Sequence, residues 1–333
     1  MRKLLLLLLF APTLTMAEQM RVFSSVVPVQ TFVEKVGGKH VDSRVMVRPG
    51  FNPHTYDPTP QQISALAESS LYVRTGVPFE NAWMGRIRAA NSKMQVIDTR
   101  AGIDLRKMEA HDDDDHAEET DHHEEHKSAH AEHAVHKHHD EHLEKDHAHE
   151  KEHKHGHEKN AANDHHDEHA HEQDPHVWVS PSLAIHMIGR IRDKLSELAP
   201  QHAADFARNH DAYASELRSL DNEMHTLLDP LHNRKFLVFH PAWGYFADQY
   251  NLKQVPIEQQ GKRPGPRALA ALIEQAKHEQ IKVVFVQPQF DKRQARQVAK
   301  EIGGGVITVD PLAANYVENL RHVGQQFAKA LQH

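Results

Sequence analysis

Three histidines in this 333-residue chain stand in similar company. His54 lies in PGFNPHTYDPTP (49–60), His176 in DPHVWVSP (174–181) and His240 in FHPAWGYF (239–246). Each is beside a proline and within three residues of an aromatic: Tyr56, Trp178 and Trp243. Imidazole titrates near pH ~6.5, so at neutral pH it offers a lone pair to a metal. Flanking prolines stiffen each loop before a ligand arrives. A fourth donor, Asp310, ends the run VITVD just before Pro311. Three imidazoles and one carboxylate suit four-coordinate Zn²⁺ at ~2.0–2.2 Å; Mn²⁺ or Mg²⁺ would lean on more oxygen. Taken singly, each residue has a plainer reading, since histidines in turns are usually surface or capping groups and Asp before Pro is ordinary turn chemistry. The recurrence of the pattern is what points to metal. His186, His202, His210, His225, His278 and His322 lie on helical patterns and read as surface or satisfied residues.

The elements that must position these donors follow from hydrophobic periodicity. RVFSSVVPV (21–29) reads as a buried strand, 29–36 as a short helix and VDSRVMVR (41–48) as a strand. A helix opens at Pro60 and runs to Glu68, SLYVRTG (70–76) is a strand, 79–91 a helix and KMQVIDT (93–99) a strand. Such alternation predicts a mostly parallel sheet covered on both faces. Helical spacing returns at 182–198. A long segment, 201–228, carries Phe206, Tyr213, Leu217, Leu220, Met224 and Leu227 at intervals of three, four and seven. A second set follows: strands at 235–239, 252–257, 281–287 and 306–310, with helices at 243–250, 267–280, 294–302 and 315–331. The expected architecture is α/β: two parallel-sheet lobes, 18–200 and 229–333, joined by a long rigid helix at 201–228. His54 and His176 then come from the first lobe, His240 and Asp310 from the second. All four stand at loop starts facing one interlobe cleft, where ligands bind in open α/β sheets.

Composition divides the chain further. MRKLLLLLLFAPTLTMA has a basic start, a short apolar run and small residues near Ala17, and reads as a cleavable secretory signal peptide over 1–17. No other stretch is apolar enough to span a membrane. The sequence has no cysteine, so neither disulfides nor a cysteine-linked lipid anchor is expected, and a soluble periplasmic monomer fits best. Residues 111–171 hold 20 of the 32 histidines; 111–172 holds 21 acids against 6 lysines, a charge of −15 in a chain of −8 overall. A segment with so little apolar surface cannot offset its chain entropy and is expected to be a disordered loop inserted in the first lobe. Its closure cost grows only with the logarithm of its length. Nothing clusters Lys and Arg with aromatics as a nucleic-acid groove would.

PGFNPHTYDPTP, DPHVWVSP, FHPAWGYFADQY, VPIEQQGKRPGP and VDPLA, in that order, resemble the motifs of ZnuA-type metal-binding receptors of ABC importers. The resemblance covers nearly the whole chain outside the His-rich insert. It implies two α/β lobes with the metal between them, His54, His176 and His240 as the histidine ligands, and Asp310 as the carboxylate that some members use. It also implies delivery of Zn²⁺ to an importer's permease and ATPase in the inner membrane. Manganese-preferring relatives tend to place Glu where His240 stands, and an acidic His-rich insert is typical of zinc members. Pro53 stands where some zinc members have an acid, which leaves the fourth ligand as Asp310, a water or a loop histidine. The cysteine pair that ties the second lobe in some members is absent, so packing alone must hold that lobe.

The insert is expected to bind several ions weakly and pass them to one tight site, because a tethered loop works at high effective concentration. Within it, His149-Glu150-Lys151-Glu152-His153 fits the zinc-peptidase pattern H-E-x-x-H. That chemistry needs a buried helix presenting both imidazoles on one face, and no apolar face exists here. No nucleophile–base pair suggests an enzyme. The alternatives are a Mn²⁺ or Fe²⁺ receptor and a periplasmic zinc store.

Overall fold

The structure, a computed structural model, describes residues 19–108, 173–258, 262 and 264–332. The expected signal peptide and the acidic insert lie outside these residues. The first sheet is built from β1 (Met20–Ser24), β2 (Val41–Val45), β3 (Leu71–Arg74) and β4 (Gln95–Asp98). Its order is β2-β1-β3-β4, and every pair is parallel. The second sheet repeats the plan with β5 (Lys235–Val238), β6 (Lys253–Pro256), β7 (Val283–Val286) and β8 (Gly305–Thr308), in the order β6-β5-β7-β8. The expected pair of α/β lobes is therefore present.

One expected boundary moves. The valine-rich run 21–29 does not continue as a strand; β1 stops at Ser24 and α1 (Val27–Gly37) begins, with Pro28 in its first turn. β1 is a central strand, and proline cannot supply the ladder N–H there, whereas the start of a helix leaves that N–H unused anyway. The other first-lobe helices are α2 (Pro60–Leu66), α3 (Pro78–Ala90) and α4 (Pro181–Leu198). Each of the three has proline in its first turn. Thr59 and Gln62 close a reciprocal capping box at the start of α2.

The connecting helix α5 runs over Ala203–Leu228. Its 26 residues correspond to roughly 39 Å at the α-helical rise. It buries Phe206, Tyr213, Leu217, Leu220, Met224 and Leu228. It packs on α1 and α4 of the first lobe and on α9 (Tyr316–Leu331) of the second. Gly324 of α9 permits that last crossing, since a Cβ there would collide with the Met224 sulfur. The remaining helices are α6 (Gly244–Gln249), α7 (Pro266–His278) and α8 (Lys292–Glu301). One continuous apolar core runs from Val22 and Phe23 through α5 to Phe236, Trp243 and Phe327, so both lobes share it. A second core, with Leu237, Val255, Leu272, Val284 and Val298, fills the other face of the second sheet against α7 and α8. The alternation of strand side chains separates the two. No helix among the described residues is long and apolar enough to cross a membrane.

Candidate metal centre

His54 sits in the long connection from β2 to α2, and that connection is held at several points. The His54 N–H donates to Asn52 Oδ1 at 2.9 Å, and Pro53 O accepts from Phe79 N at 3.3 Å. Behind it, Gln62 Nε2 donates to Met46 O at 2.7 Å and Tyr56 OH donates to Gln62 Oε1 at 2.8 Å. The strap from Phe79 depends on its neighbour Glu80, which is fully buried. Glu80 accepts from Ser25 Oγ at 2.6 Å, Tyr72 OH at 2.9 Å and Gly76 N at 2.6 Å.

His176 precedes a single 3-10 turn, Val177–Val179, that feeds α4. Although the sequence places it before the connecting helix, much of its anchoring comes from the second lobe. Trp178 Nε1 donates to Pro311 O at 2.7 Å, Tyr316 OH to Trp178 O at 2.6 Å and Tyr245 OH to Asp174 O at 2.9 Å. His240 follows β5, and the side-chain amide of Gln287, just past β7, clasps its backbone. Gln287 Nε2 donates to His240 O at 2.6 Å, and His240 N donates to Gln287 Oε1 at 3.3 Å.

These three segments bring His54, His176 and His240 together. One ring nitrogen from each lies within 4.8 Å of the other two. His54 Nε2 is 3.1 Å from His240 Nε2, close to the ~3.4 Å that two nitrogens on one tetrahedral Zn²⁺ would show. His176 and His240 are 5 % and 4 % exposed. The nitrogens line a cavity of about 20 Å³ together with Phe290, Gln289 and Pro311. That holds one water-sized body, and so fits an ion better than an organic ligand.

The far nitrogens of two rings face carboxylates. His176 Nδ1 is 2.7 Å from Asp174 Oδ1, and His240 Nδ1 is 3.3 Å from Glu258 Oε1. A carboxylate there fixes the proton on Nδ1, turns the Nε2 lone pair toward the cleft and makes that nitrogen more basic. Burial, reinforced by the neighbouring His240 and His176, pushes His54 down to about 2, so it is neutral at any physiological pH. Burial also lowers His240, against the opposing pull of Glu258. Three imidazoles around one small cavity are a donor set for a borderline-soft divalent cation.

Asp310 lies beyond β8, and its carboxylate is not among the atoms gathered within 4.8 Å. Its Oδ1 accepts from Leu312 N at 2.9 Å and from Gln289 Nε2 at 2.8 Å. The aromatics are only partly where the motifs suggest. Trp178 meets the His176 ring edge-on at 5.2 Å, but Trp243 packs into the core on Phe246 and Phe327, and Tyr56 packs on Phe51 and Phe79. The ring stacked on His240 is instead Phe290, at 4.8 Å and 20°. Asp174, Glu258 and Phe290 were not singled out from the sequence. The first two lie within quoted motifs, and a carboxylate two residues before a candidate ligand is the signal that would have found Asp174.

Comparison with known proteins identifies the family. A family model described as "Zinc-uptake complex component A periplasmic", ZnuA, matches residues 22–163 and 127–330. The chain belongs to the ZnuA family. A solved structure described as a ZnuA 138–173 deletion mutant with zinc bound shares 33% identity and a TM-score of 0.75, covering 95% of this chain and 99% of that one. Among characterised relatives, the high-affinity zinc uptake system protein ZnuA of Bacillus subtilis is 27% identical over 86% of this chain and 76% of its own length. The zinc-binding protein AdcA of Streptococcus pyogenes is 25% identical over 91% of this chain. The chain spans about half the length of that relative, 53%. The fold of two parallel-sheet lobes is thus shared with solved structures of the family.

Proposed function

We propose that this protein is an extracytoplasmic Zn²⁺ receptor that holds one ion between its lobes and delivers it to the permease and ATPase of an ABC importer. The observation that carries this reading is the convergence of three imidazoles from three distant chain segments on one small cavity. His54, His176 and His240 are the ligands. Asp310 is the fourth donor through Oδ2, its Oδ1 being held by Leu312 N and Gln289 Nε2. The donor set is richer in nitrogen than Mn²⁺ or Mg²⁺ sites, which supports zinc. The role is binding and transfer, without covalent chemistry. A dissociation constant near nM would correspond to ~12 kcal/mol.

The leader over 1–17 directs export, and the 111–171 insert gathers ions for the cleft. Support for the insert's role is compositional: 20 imidazoles among many acids, on a tether that keeps them close to the tight site. The deciding experiment is a competition titration of the full chain and of a 111–171 deletion with Zn²⁺ against Mn²⁺ and a chelator of known affinity. Both proteins should show one tight zinc-preferring site, and the full chain several weaker ones. Equal preference for Mn²⁺ would sink the zinc assignment. Loss of the tight site with the insert would identify a zinc store instead. His176→Ala should abolish the tight site, and unchanged affinity would reject His176 as a ligand.

A further inference from the structure

A second group of ligand-type side chains lies away from the cleft. His40, His202 and Asp205 each bring one donor atom to within 4.8 Å of the other two. His40 ends the 3-10 turn Gly38–His40 that leads into β2. His202 ends the turn Pro200–His202 that opens α5, and Asp205 lies in the first turn of α5. His40 precedes β2 and His54 follows it, so the two clusters occupy opposite ends of the first sheet. The five residues of β2 put roughly 17 Å of strand between those ends.

The local chemistry favours a cation. His40 Nε2 is 2.7 Å from Asp205 Oδ2. The rings of His40 and His202 stack with centroids 3.8 Å apart and planes 20° apart, and Phe206 meets both rings edge-on. Asp205 divides its oxygens, Oδ1 facing Arg208 and Oδ2 facing the imidazole. Arg21, Lys39 and Glu68 line the same hollow, and Arg21 is already paired with Asp42 and Glu68. An anion entering here would confront the Asp205 carboxylate. A divalent cation would meet one carboxylate oxygen and two imidazoles, a His₂Asp set that suits Zn²⁺ with water in the fourth position.

We propose that His40, His202 and Asp205 form a second Zn²⁺ site, separate from the interlobe one. The ion replaces the proton shared by His40 and Asp205 and parts the stacked rings, so that one nitrogen of each turns to it. This site is partly exposed, offers only three protein donors and has a guanidinium nearby. It therefore fills after the interlobe site. Once filled, it staples the turn before β2 to the first turn of the connecting helix.

Crystals of the full mature chain equilibrated with excess ZnCl₂, measured on both sides of the zinc absorption edge, test this directly. A zinc peak is expected between His40, His202 and Asp205 in addition to the one among His54, His176 and His240. His202→Ala and Asp205→Asn should each remove the first peak and keep the second. The proposal is overturned if that position stays empty while the interlobe cleft is full, or if the peak takes a ligand from a neighbouring molecule. A filled second position beside an empty cleft would leave this site standing and overturn the interlobe reading instead, so the two failures are distinguishable.

Discussion

Asp174 Oδ1 both accepts the backbone N–H of His176 at 2.9 Å and faces that residue's Nδ1 at 2.7 Å. One carboxylate oxygen thus fixes the turn and the ring together. Asp174→Ala should weaken zinc binding by about 10–100-fold, the usual cost of removing a carboxylate behind a metal-ligating imidazole. Chelator competition would read it. Asp174→Asn, which can still accept both bonds, should recover part of the loss, and no difference between the two variants would show that the charge, and not the accepted bonds, carries the whole effect.

The role of Asp310 separates into a turn and a charge. Asp310→Asn keeps an oxygen for Leu312 N and Gln289 Nε2 but loses the carboxylate. If Asp310 is the fourth donor, this variant binds zinc about tenfold more weakly or worse, ~1.4 kcal/mol, while the melting temperature of the zinc-free protein is unchanged. Unaltered affinity would hand the fourth position to water.

Acid should destabilise the zinc-free protein through His54. Its folded-state pKa, about 2, lies below its ordinary 6.5. Between those values the unfolded chain takes up a proton that the native state refuses. Stability from this residue is therefore complete above pH ~7 and falls as pH drops through 6.5, by about 1.4 kcal/mol per pH unit. Melting curves of wild type and His54→Gln between pH 7.5 and 5 should converge toward acid. Parallel curves would contradict a buried neutral imidazole at this position.

Glu80 connects the core of the first lobe to the site. Removing it in Glu80→Ala leaves Ser25 Oγ, Tyr72 OH and Gly76 N without their shared acceptor, at ~1–3 kcal/mol for each group left unsatisfied. Thermal unfolding should show the loss. Zinc affinity should fall as well, because Phe79 N holds the loop before His54 through Pro53 O. Glu80→Gln should restore most of the stability.

The parallel strands were readable in the sequence because strands buried on both faces are short apolar runs between turn signals. The end of β1 was hidden by the valines that continue past Ser24, although Pro28 marks the helix start. The three histidines were readable because their proline and aromatic neighbours recur. Glu258 was not, since nothing in the 17 residues between it and His240 signals that adjacent strand ends will fold them together. Trp243 stands within three residues of His240 in sequence, yet its bulk fills the shared core. His202 fitted a helical pattern, and only the folded chain shows His40 stacked against it.

The anchoring of Trp178 and Asp174 to Pro311, Tyr316 and Tyr245 divides the metal cage unevenly. His176 feeds α4 of the first lobe yet is bonded to the second lobe that carries His240, whereas His54 stands on the β2–α2 connection of the first. On the receptor reading proposed above, displacement of the 48–59 arm would strip one ligand and uncover the ion while two nitrogens still hold it.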